Sequence, residues 1–178
     1  LEYINFILIK KLIKYIINYK LKIRFIHLSS VSVYGGSENL ISKKVIISEN
    51  TPTRVSELYS KSKLNLDTYL NSLVKRKSNQ NLSFTILRFS NVFGKKKHSN
   101  LYSFVLLLLK FGFWLQISDK VMFNFINVKD VSQAIKLIIF KTKISRNKTY
   151  ILSDDCRQLE VVNFYRKFYK KQIKIIIL

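Results

Sequence analysis

Tyr59 and Lys63 are the residues of this sequence whose types and spacing are best suited to proton-transfer chemistry. They lie four positions apart in the stretch from Val55 to Arg76, which lacks Gly and Pro and carries leucines at near-helical spacing. A helix there puts both side chains on one face, where an ammonium group can lower the pKa of a phenol from about 10 towards neutrality. A phenolate tuned in this way is a general base. Chance alone gives such pairs in a chain rich in both residue types, so neighbouring residues must support the interpretation.

Hydroxyl side chains follow the strand that precedes this helix. Arg24 to Ser29 is a short β-branched and aromatic run that predicts a buried parallel strand, and SSVSVYG begins at its end, with Ser29, Ser30 and Tyr34. Open α/β sheets bind their ligands at the carboxyl ends of such strands. Serines at this position can also simply cap a turn. His27, within the apolar run, is predicted to be a core residue.

Helical and strand patterns alternate along the remaining chain, which predicts an α/β layer fold. Helices are predicted at 3–19, 55–76, about 100–110, Val128–Lys141 and Gln158–Lys170. Strands are predicted at Arg24–Ser29, Ser83–Arg88, Asn124–Asn127, Thr149–Ser153 and Ile173–Ile177. The apolar stretch from Leu101 to Ser118 is long enough for a membrane span, but Lys110 and Gly112 interrupt it and favour a buried helix followed by a short strand.

The length, composition and net charge of the chain limit the kinds of function that it can have. With 178 residues, 48% of them hydrophobic, the chain can bury one sizeable core. A net charge of +22 is typical of nucleic-acid or membrane-surface proteins. Here the lysines are spread along the chain beside many Ile and Asn, as A/T-biased codon usage produces, and no recognition motif accompanies them. We therefore expect neither a nucleic-acid nor a membrane partner, with a basic surface-binding protein as an alternative.

The cysteine and histidine content argues against a disulfide framework and a metal site. Cys156 is a lone cysteine and no signal-peptide pattern is present, so a cytoplasmic location is expected and Cys156 is predicted to be a packed thiol. His98 lies in a lysine-rich loop without a second ligand at metal-binding spacing, so no metal is predicted.

Six motifs in a fixed order carry a resemblance to a known family. They are SSVSVYG (29–35), Glu49 with Pro52, YSKSK (59–63), LRFSNVFG (87–94), FINVKDV (125–131) and KTYILSDD (148–155). In this order they resemble the NAD-dependent epimerase/dehydratase family, an extended branch of the short-chain dehydrogenase/reductases, over essentially all residues present.

The resemblance implies a partial Rossmann-type parallel sheet with helices on both faces, plus a small C-terminal substrate-binding lobe. Residues 1–178 would be the C-terminal portion of such a domain. About 1–95 would be the remaining Rossmann part, and about 96–178 the substrate lobe with returning Rossmann elements.

The resemblance also assigns roles to particular residues. The implied catalytic set is Ser30, Tyr59 and Lys63. The implied contacts to NAD or NADP are Ser29, Tyr59, Lys63, Phe89 and Val92. The implied contacts to a nucleotide-sugar substrate are Ser30, Tyr34 and Asn91. Read without the family, Asn91 is a turn residue at a strand end.

The sequence departs from the family in two places. Its only glycines are Gly35, Gly36, Gly94 and Gly112, so these residues cannot form the Gly-x-x-Gly-x-x-Gly turn that receives the cofactor pyrophosphate. A start at leucine inside an amphipathic pattern suggests missing upstream residues. Without the first strands of the sheet, a strand edge and apolar helix faces are expected to be bare.

The second departure concerns the substrate phosphates. Phe123 and Asn124 stand where many relatives carry an arginine and an aspartate, and Lys120 is a candidate substitute, although it lacks the bidentate fork of arginine.

The expected function is epimerisation or dehydration of a nucleotide-linked sugar by hydride transfer at a ring carbon, with helices 3–19 and 55–76 pairing in a homodimer of the full-length protein. The alternative within the same fold is an inactive remnant or a non-catalytic binding module.

Overall fold

A computed structural model describes residues 2–35, 46–75, 81–94, 100–116 and 122–177. The helices are α1 (Ile9–Asn18), α2 (Leu58–Lys75), α3 (Asn100–Lys110), α4 (Val128–Phe140), α5 (Thr142–Ser145) and α6 (Gln158–Tyr169). The strands are β1 (Ile23–Ser30), β2 (Leu82–Phe89), β3 (Asn91–Phe93), β4 (Phe113–Gln116), β5 (Met122–Asn127), β6 (Lys148–Leu152), β7 (Asp154–Arg157) and β8 (Lys174–Ile177). A π-helical segment, Tyr3–Leu8, leads into α1, and a 3-10 turn, Val31–Tyr34, follows β1.

The main sheet is parallel, with strand order β1-β2-β6. The π-helical segment, α1 and α2 cover one of its faces, and their amphipathic pattern explains why. The buried members of this core are Ile13, Ile16, Leu66, Leu70, Leu73, Leu82, Phe84 and Ile86. The predicted strands at 24–29, 83–88 and 149–153 and the predicted parallel pairing are confirmed.

Helix α5 attaches to the opposite face of the sheet. The Thr85 hydroxyl donates to the Ser145 carbonyl at 2.7 Å, and the Arg24 guanidinium donates to the Ser145 hydroxyl. Thr85 and Arg88 are three apart in β2, so their side chains point to opposite faces, and Arg88 lies on the α2 side. Helices therefore lie on both faces, as the predicted fold class requires.

The C-terminal half adds two small sheets. In one, β5 pairs in parallel with β3 and antiparallel with β7; in the other, β4 and β8 are parallel. An apolar cluster joins α3, β4, α6 and β8, and the Asn127 side chain caps α4 by accepting from the Lys129 N–H at 2.9 Å. The predicted helix and short strand within 101–118 are confirmed as α3 and β4. The proposed division near residue 95 falls at residues 95–99, outside the described ranges.

The helix predicted from residue 55 begins three residues later. Its start is delayed because the Arg54 N–H donates to the Val33 carbonyl at 2.9 Å, which ties the preceding segment to the 3-10 turn. Within the described ranges, no helix is both long and apolar enough to cross a bilayer.

Among the described residues, β1 pairs only with β2, so its other edge keeps unpaired backbone groups. Large apolar side chains are also exposed. They are Leu28 on β1, and Ile4, Leu8 and Leu12 on the N-terminal helix, the name used here for the π-helical segment together with α1. Apolar side chains of the N-terminal helix are exposed, as expected, and the described residues place no strand against the other edge of β1.

Candidate functional site

Ser29, Ser30 and Tyr34 lie at the carboxyl end of β1 and in the turn after it, and Tyr59 and Lys63 lie in the first turns of α2. The Lys63 ammonium donates to the Leu28 carbonyl at 3.0 Å, which fixes this end of the lysine against β1. Its Nζ lies 5.7 Å from the centroid of the Tyr59 ring. The two side chains thus share one face of α2, as their spacing predicts.

Tyr59 is 40% exposed, and among the described residues its hydroxyl makes no hydrogen bond. Burial of the rest of the side chain raises the pKa of its phenol above the ordinary value. The expected lowering of this pKa by Lys63 is therefore not observed. The reason is geometric: the ammonium donates to the Leu28 carbonyl and lies beside the ring instead of donating to the phenol.

Lys63 is half-buried, and this position affects the pKa of its ammonium group. Burial lowers the pKa of the ammonium, and the negative charge of Asp67 partly opposes this change. Asp67 lies one helical turn beyond Lys63, on the same face of α2.

Serine hydroxyls lie at the strand ends beside this pair. Ser30 Oγ accepts from the Ser32 N–H at 3.2 Å and so caps the 3-10 turn. The hydroxyls of Ser29, Ser32 and Ser90 are buried and have no hydrogen-bond partner within the described residues. Buried hydroxyls without a partner are destabilising in isolation, so they suit a polar ligand at this end of the sheet.

Two predicted substrate contacts are engaged by the protein itself. Tyr34 is only 8% exposed, and its hydroxyl accepts from Arg88 Nη1. Burial raises the pKa of this phenol, against the influence of Arg88. Asn91 Nδ2 donates to the Asn124 carbonyl at 3.2 Å. The side chains of Phe89 and Val92 are partly buried at the end of β2 and just after it.

A buried network beneath the site was not predicted. Asp67 is 0% exposed; its Oδ2 accepts from Arg88 Nε at 2.9 Å, and its Oδ1 lies 3.2 Å from His27 Nε2 without hydrogen-bond geometry. His27 is buried, as predicted, but beside a carboxylate. The available signal was the spacing of Asp67, four residues after Lys63 and eight after Tyr59, with an arginine inside an apolar strand.

The polar groups at this end of the sheet are chemically suited to the hydroxyls of a nicotinamide ribose. Lys63 offers an ammonium and Ser29 and Ser90 offer unpaired hydroxyls at the carboxyl ends of parallel strands, where such ligands bind. Within these 178 residues, the four glycines are not spaced to form the turn that would receive the pyrophosphate.

The departures from the family pattern have structural roles of their own. The Phe123 ring packs edge-on against Trp114 with centroids 5.6 Å apart, and Asn124 Nδ2 donates to Asp155 Oδ1 at 2.7 Å. Lys120 and His98 lie outside the described residues. In the described part of the chain, no three His, Cys, Asp or Glu side chains form a metal-binding group.

A family model described as the NAD dependent epimerase/dehydratase family matches residues 1–152. This range contains Ser30, Tyr59, Lys63 and the buried network of Asp67 and Arg88. No curated protein sequence matches the chain significantly.

Solved structures share the fold over nearly the whole chain. UDP-glucuronic acid 4-epimerase from Bacillus cereus in complex with NAD has a TM-score of 0.74 at 19% identity, covering 98% of this chain and 54% of that one. dTDP-glucose 4,6-dehydratase from Bacillus anthracis in complex with NAD has 0.71 at 20%, covering 98% and 56%. RMD from Pseudomonas aeruginosa complexed with NADPH has 0.71 at 15%, covering 99% and 59%. The chain spans slightly more than half the length of these solved chains.

Proposed function

The chain belongs to the NAD-dependent epimerase/dehydratase family, and from that premise we propose that it supplies the proton-transfer groups of an enzyme acting on a nucleotide-linked sugar. The observation that carries this proposal is the position of Lys63 beside the Tyr59 ring and against the Leu28 carbonyl of β1, the strand that ends at Ser30. Unpaired buried hydroxyls at the same end of the sheet support it. The family is NAD-dependent, and similar solved structures hold NAD or NADPH.

Each of the three residues has a distinct role in the proposal. Tyr59 accepts the proton of a sugar hydroxyl as the alcohol is oxidised and returns it on reduction, since its phenol is exposed and makes no hydrogen bond to the described residues. Ser30 donates a hydrogen bond to the same sugar oxygen, because its Oγ now only accepts, from Ser32. Lys63 binds the nicotinamide ribose and holds positive charge near the phenol. Bound NAD or NADP supplies the hydride acceptor.

The raised pKa of Tyr59 sets a condition for this role. A phenol whose pKa is raised by burial is protonated at neutral pH and leaves little phenolate to accept a proton, so added positive charge at the site is needed to lower that pKa. An oxidised nicotinamide ring carries such a charge. We therefore expect ligand binding to lower the pKa of Tyr59.

The proposed substrate is a nucleotide-linked sugar that contacts Ser30, Tyr34 and Asn91. Two similar solved proteins are named for UDP-glucuronic acid and dTDP-glucose. Ser29, Phe89 and Val92 would border the cofactor, since Ser29 and Phe89 lie at the ends of β1 and β2 and Val92 lies in β3, just after β2.

A homodimer of the complete protein is also proposed, through the N-terminal helix and α2. The N-terminal helix exposes apolar residues that a second subunit would cover, among them Ile4, Leu8 and Leu12. Analytical ultracentrifugation of the complete native protein tests this; a monomer at micromolar concentration contradicts it.

The second candidate is a non-catalytic scaffold of the same fold. It is favoured by two observations: the raised pKa of Tyr59 and the engagement of Asn124 by Asp155 where relatives carry an aspartate. A scaffold of this kind would bind no NADH.

The deciding experiment combines NADH titration with turnover of UDP- and dTDP-linked sugars by the complete native protein. Tyr59→Phe removes the proton acceptor, so kcat should fall by about 100- to 10,000-fold while the Kd for NADH changes little. Tyr169→Phe, on the exposed face of α6, is the matched control and should retain turnover. Wild-type turnover in Tyr59→Phe would refute the assignment, and absence of NADH binding by the wild type would favour the scaffold.

A further inference from the structure

Helix α2 carries three ionisable side chains at four-residue intervals, Tyr59, Lys63 and Asp67, and their exposure falls along the row. The phenol is 40% exposed, the ammonium is half-buried and the carboxylate is 0% exposed. At the buried end Asp67 contacts Arg88 at 2.9 Å on β2 and His27 at 3.2 Å on β1. The row is thus anchored to the sheet at one end and reaches the site at the other.

Arg88 extends this anchor to the turn that carries Ser30. While its Nε donates to Asp67, its Nη1 donates to the Tyr34 hydroxyl, and the guanidinium lies 4.9 Å from the centroid of the Tyr34 ring. Tyr34 belongs to the 3-10 turn capped by Ser30. One buried guanidinium therefore connects the helix, strand and turn that hold the site residues.

We propose that Asp67 is the positioning residue of the Tyr59–Lys63 pair: its carboxylate, held by Arg88, fixes α2 on the sheet and lies one helical turn from Lys63, on the same face of the helix. The catalytic role of Tyr59 and Lys63 rests on the proposed function, but the contacts of Asp67 with Arg88 and His27 do not depend on it. Replacing such a buried ion pair with apolar residues is often neutral or stabilising, so stability alone does not explain it. Its geometric use is orientation.

The electrostatics of the surroundings support the same conclusion. Among the described residues, the titratable and charged groups that face this part of α2 from the sheet side are His27 on β1, Tyr34 on the turn, Glu49 in the following loop and Arg88 on β2. The π-helical segment and α1 also pack against α2, and they add Tyr3, Lys10, Lys11, Lys14 and Tyr15. For Lys63, burial lowers the pKa and Asp67 opposes it. Without that carboxylate the amine loses its proton at lower pH, and Tyr59 then faces a neutral neighbour.

Two variants that break the same ion pair distinguish two roles of Asp67: an electrostatic effect on Lys63, and a purely structural role in the fold. Asp67→Asn removes the negative charge near Lys63, whereas Arg88→Gln leaves it and removes the compensating cation. Both leave one buried polar partner without its counterpart. A purely structural pair predicts the same outcome for both variants; the proposal predicts different ones.

The readout is competitive labelling of the complete native protein with trace acetic anhydride over a pH series, quantified by peptide mass spectrometry. We expect the pH of half-maximal labelling at Lys63 to fall by about one unit in Asp67→Asn and not to fall in Arg88→Gln. Exposed Lys61 in the same helix is the internal reference. An equal fall in both variants, or no fall in Asp67→Asn, overturns the proposal.

If Asp67→Asn does not fold, Asp67→Glu keeps the charge, and Lys63 should label as in the wild type; a fall equal to one unit would contradict the proposal. The labelling needs neither cofactor nor substrate, so failure of NADH binding rejects the proposed function without deciding this inference. In an active protein, the alkaline limit of kcat/KM should shift to lower pH in Asp67→Asn by the same amount as the labelling.

Discussion

The molecule contains two cores of different chemistry. The core between α1, α2 and the main sheet encloses a carboxylate, a guanidinium and an imidazole, from Asp67, Arg88 and His27. The core between α3, β4, α6 and β8 is apolar. Its buried members are Val105, Leu109, Trp114, Val162 and Ile173.

The core that contains buried charged groups is the one that lies under the candidate site residues. Apolar packing is non-directional, so it holds elements together without fixing one side chain to one neighbour. A carboxylate that accepts from a guanidinium is directional, and it lies under the helix that carries Tyr59 and Lys63. The first core combines apolar burial with a buried ion pair between side chains, whereas in the second the Arg166 guanidinium of α6 donates to the backbone carbonyl of Ile173.

Removing one partner of the buried pair should have the largest effect on stability. Asp67→Ala leaves Arg88 buried without its counter-ion, and the free energy of unfolding should fall by about 3–5 kcal/mol. The double variant Asp67→Leu with Arg88→Met replaces the pair with apolar groups and should lose much less. Urea unfolding of the complete native protein measures the free energy of unfolding of both variants. A double variant that loses as much as Asp67→Ala, or more, would contradict this account of the core.

Truncation in the apolar core should behave differently. Leu109→Ala is expected to lower the free energy of unfolding by about 3 kcal/mol, because it leaves a cavity in the cluster. Leu107→Ala, on the same helix but 50% exposed, is the matched control and should change it by less than about 0.5 kcal/mol. In combination with Asp67→Ala, the loss from Leu109→Ala should add, since the two sites share no partner. A strong departure from additivity would show that the cores are coupled.

Loss of the Tyr34 hydroxyl tests the outer arm of the buried network. Tyr34→Phe keeps the ring beside the guanidinium but removes the acceptor of the Arg88 hydrogen bond, so we expect a loss of about 1.5–3 kcal/mol. Tyr150→Phe removes a 3.3 Å hydrogen bond to the Ile144 carbonyl, which is neutral and longer, and should lose about 0.5 kcal/mol. Equal losses in the two variants would mean that the charge of Arg88 adds nothing at Tyr34.

The sequence predicted the elements of the first core well because their signals are local. Apolar runs such as 83–88 predict a buried strand, and the leucines of 55–76 predict a helix, which the structure confirms with small shifts at the ends. The strand β7 was missed, since its residues Asp154 to Arg157 are polar and only pairing with β5 makes them a strand. Such pairing is a tertiary effect that local propensity does not contain.

The order of the motifs was enough to predict which residues belong to the candidate site. It was not enough to predict their pKa values and hydrogen-bond partners, because tertiary contacts determine these. The placement of Tyr59 and Lys63 on one face followed from spacing alone. The raised pKa of Tyr59 did not, because it depends on burial and on the Lys63 ammonium donating to the Leu28 carbonyl. Asp67 meets Arg88 only after α2 packs on β2, a contact between residues 21 positions apart.

The smallest expected effect concerns the loop that joins the 3-10 turn to α2. The exposed Glu49 carboxylate accepts from the Ile151 N–H at 3.0 Å, and this hydrogen bond lowers its pKa. A folded-state pKa below the unfolded value of about 4.3 means that the contact stabilises the fold above that pH and is lost as pH falls through the folded pKa. Glu49→Gln should therefore lower the free energy of unfolding by about 0.5 kcal/mol at neutral pH and flatten its decline in acid. Glu57→Gln removes the same charge without a side-chain hydrogen bond to the described residues, so an equal effect there would assign the change to net charge rather than to the contact with β6.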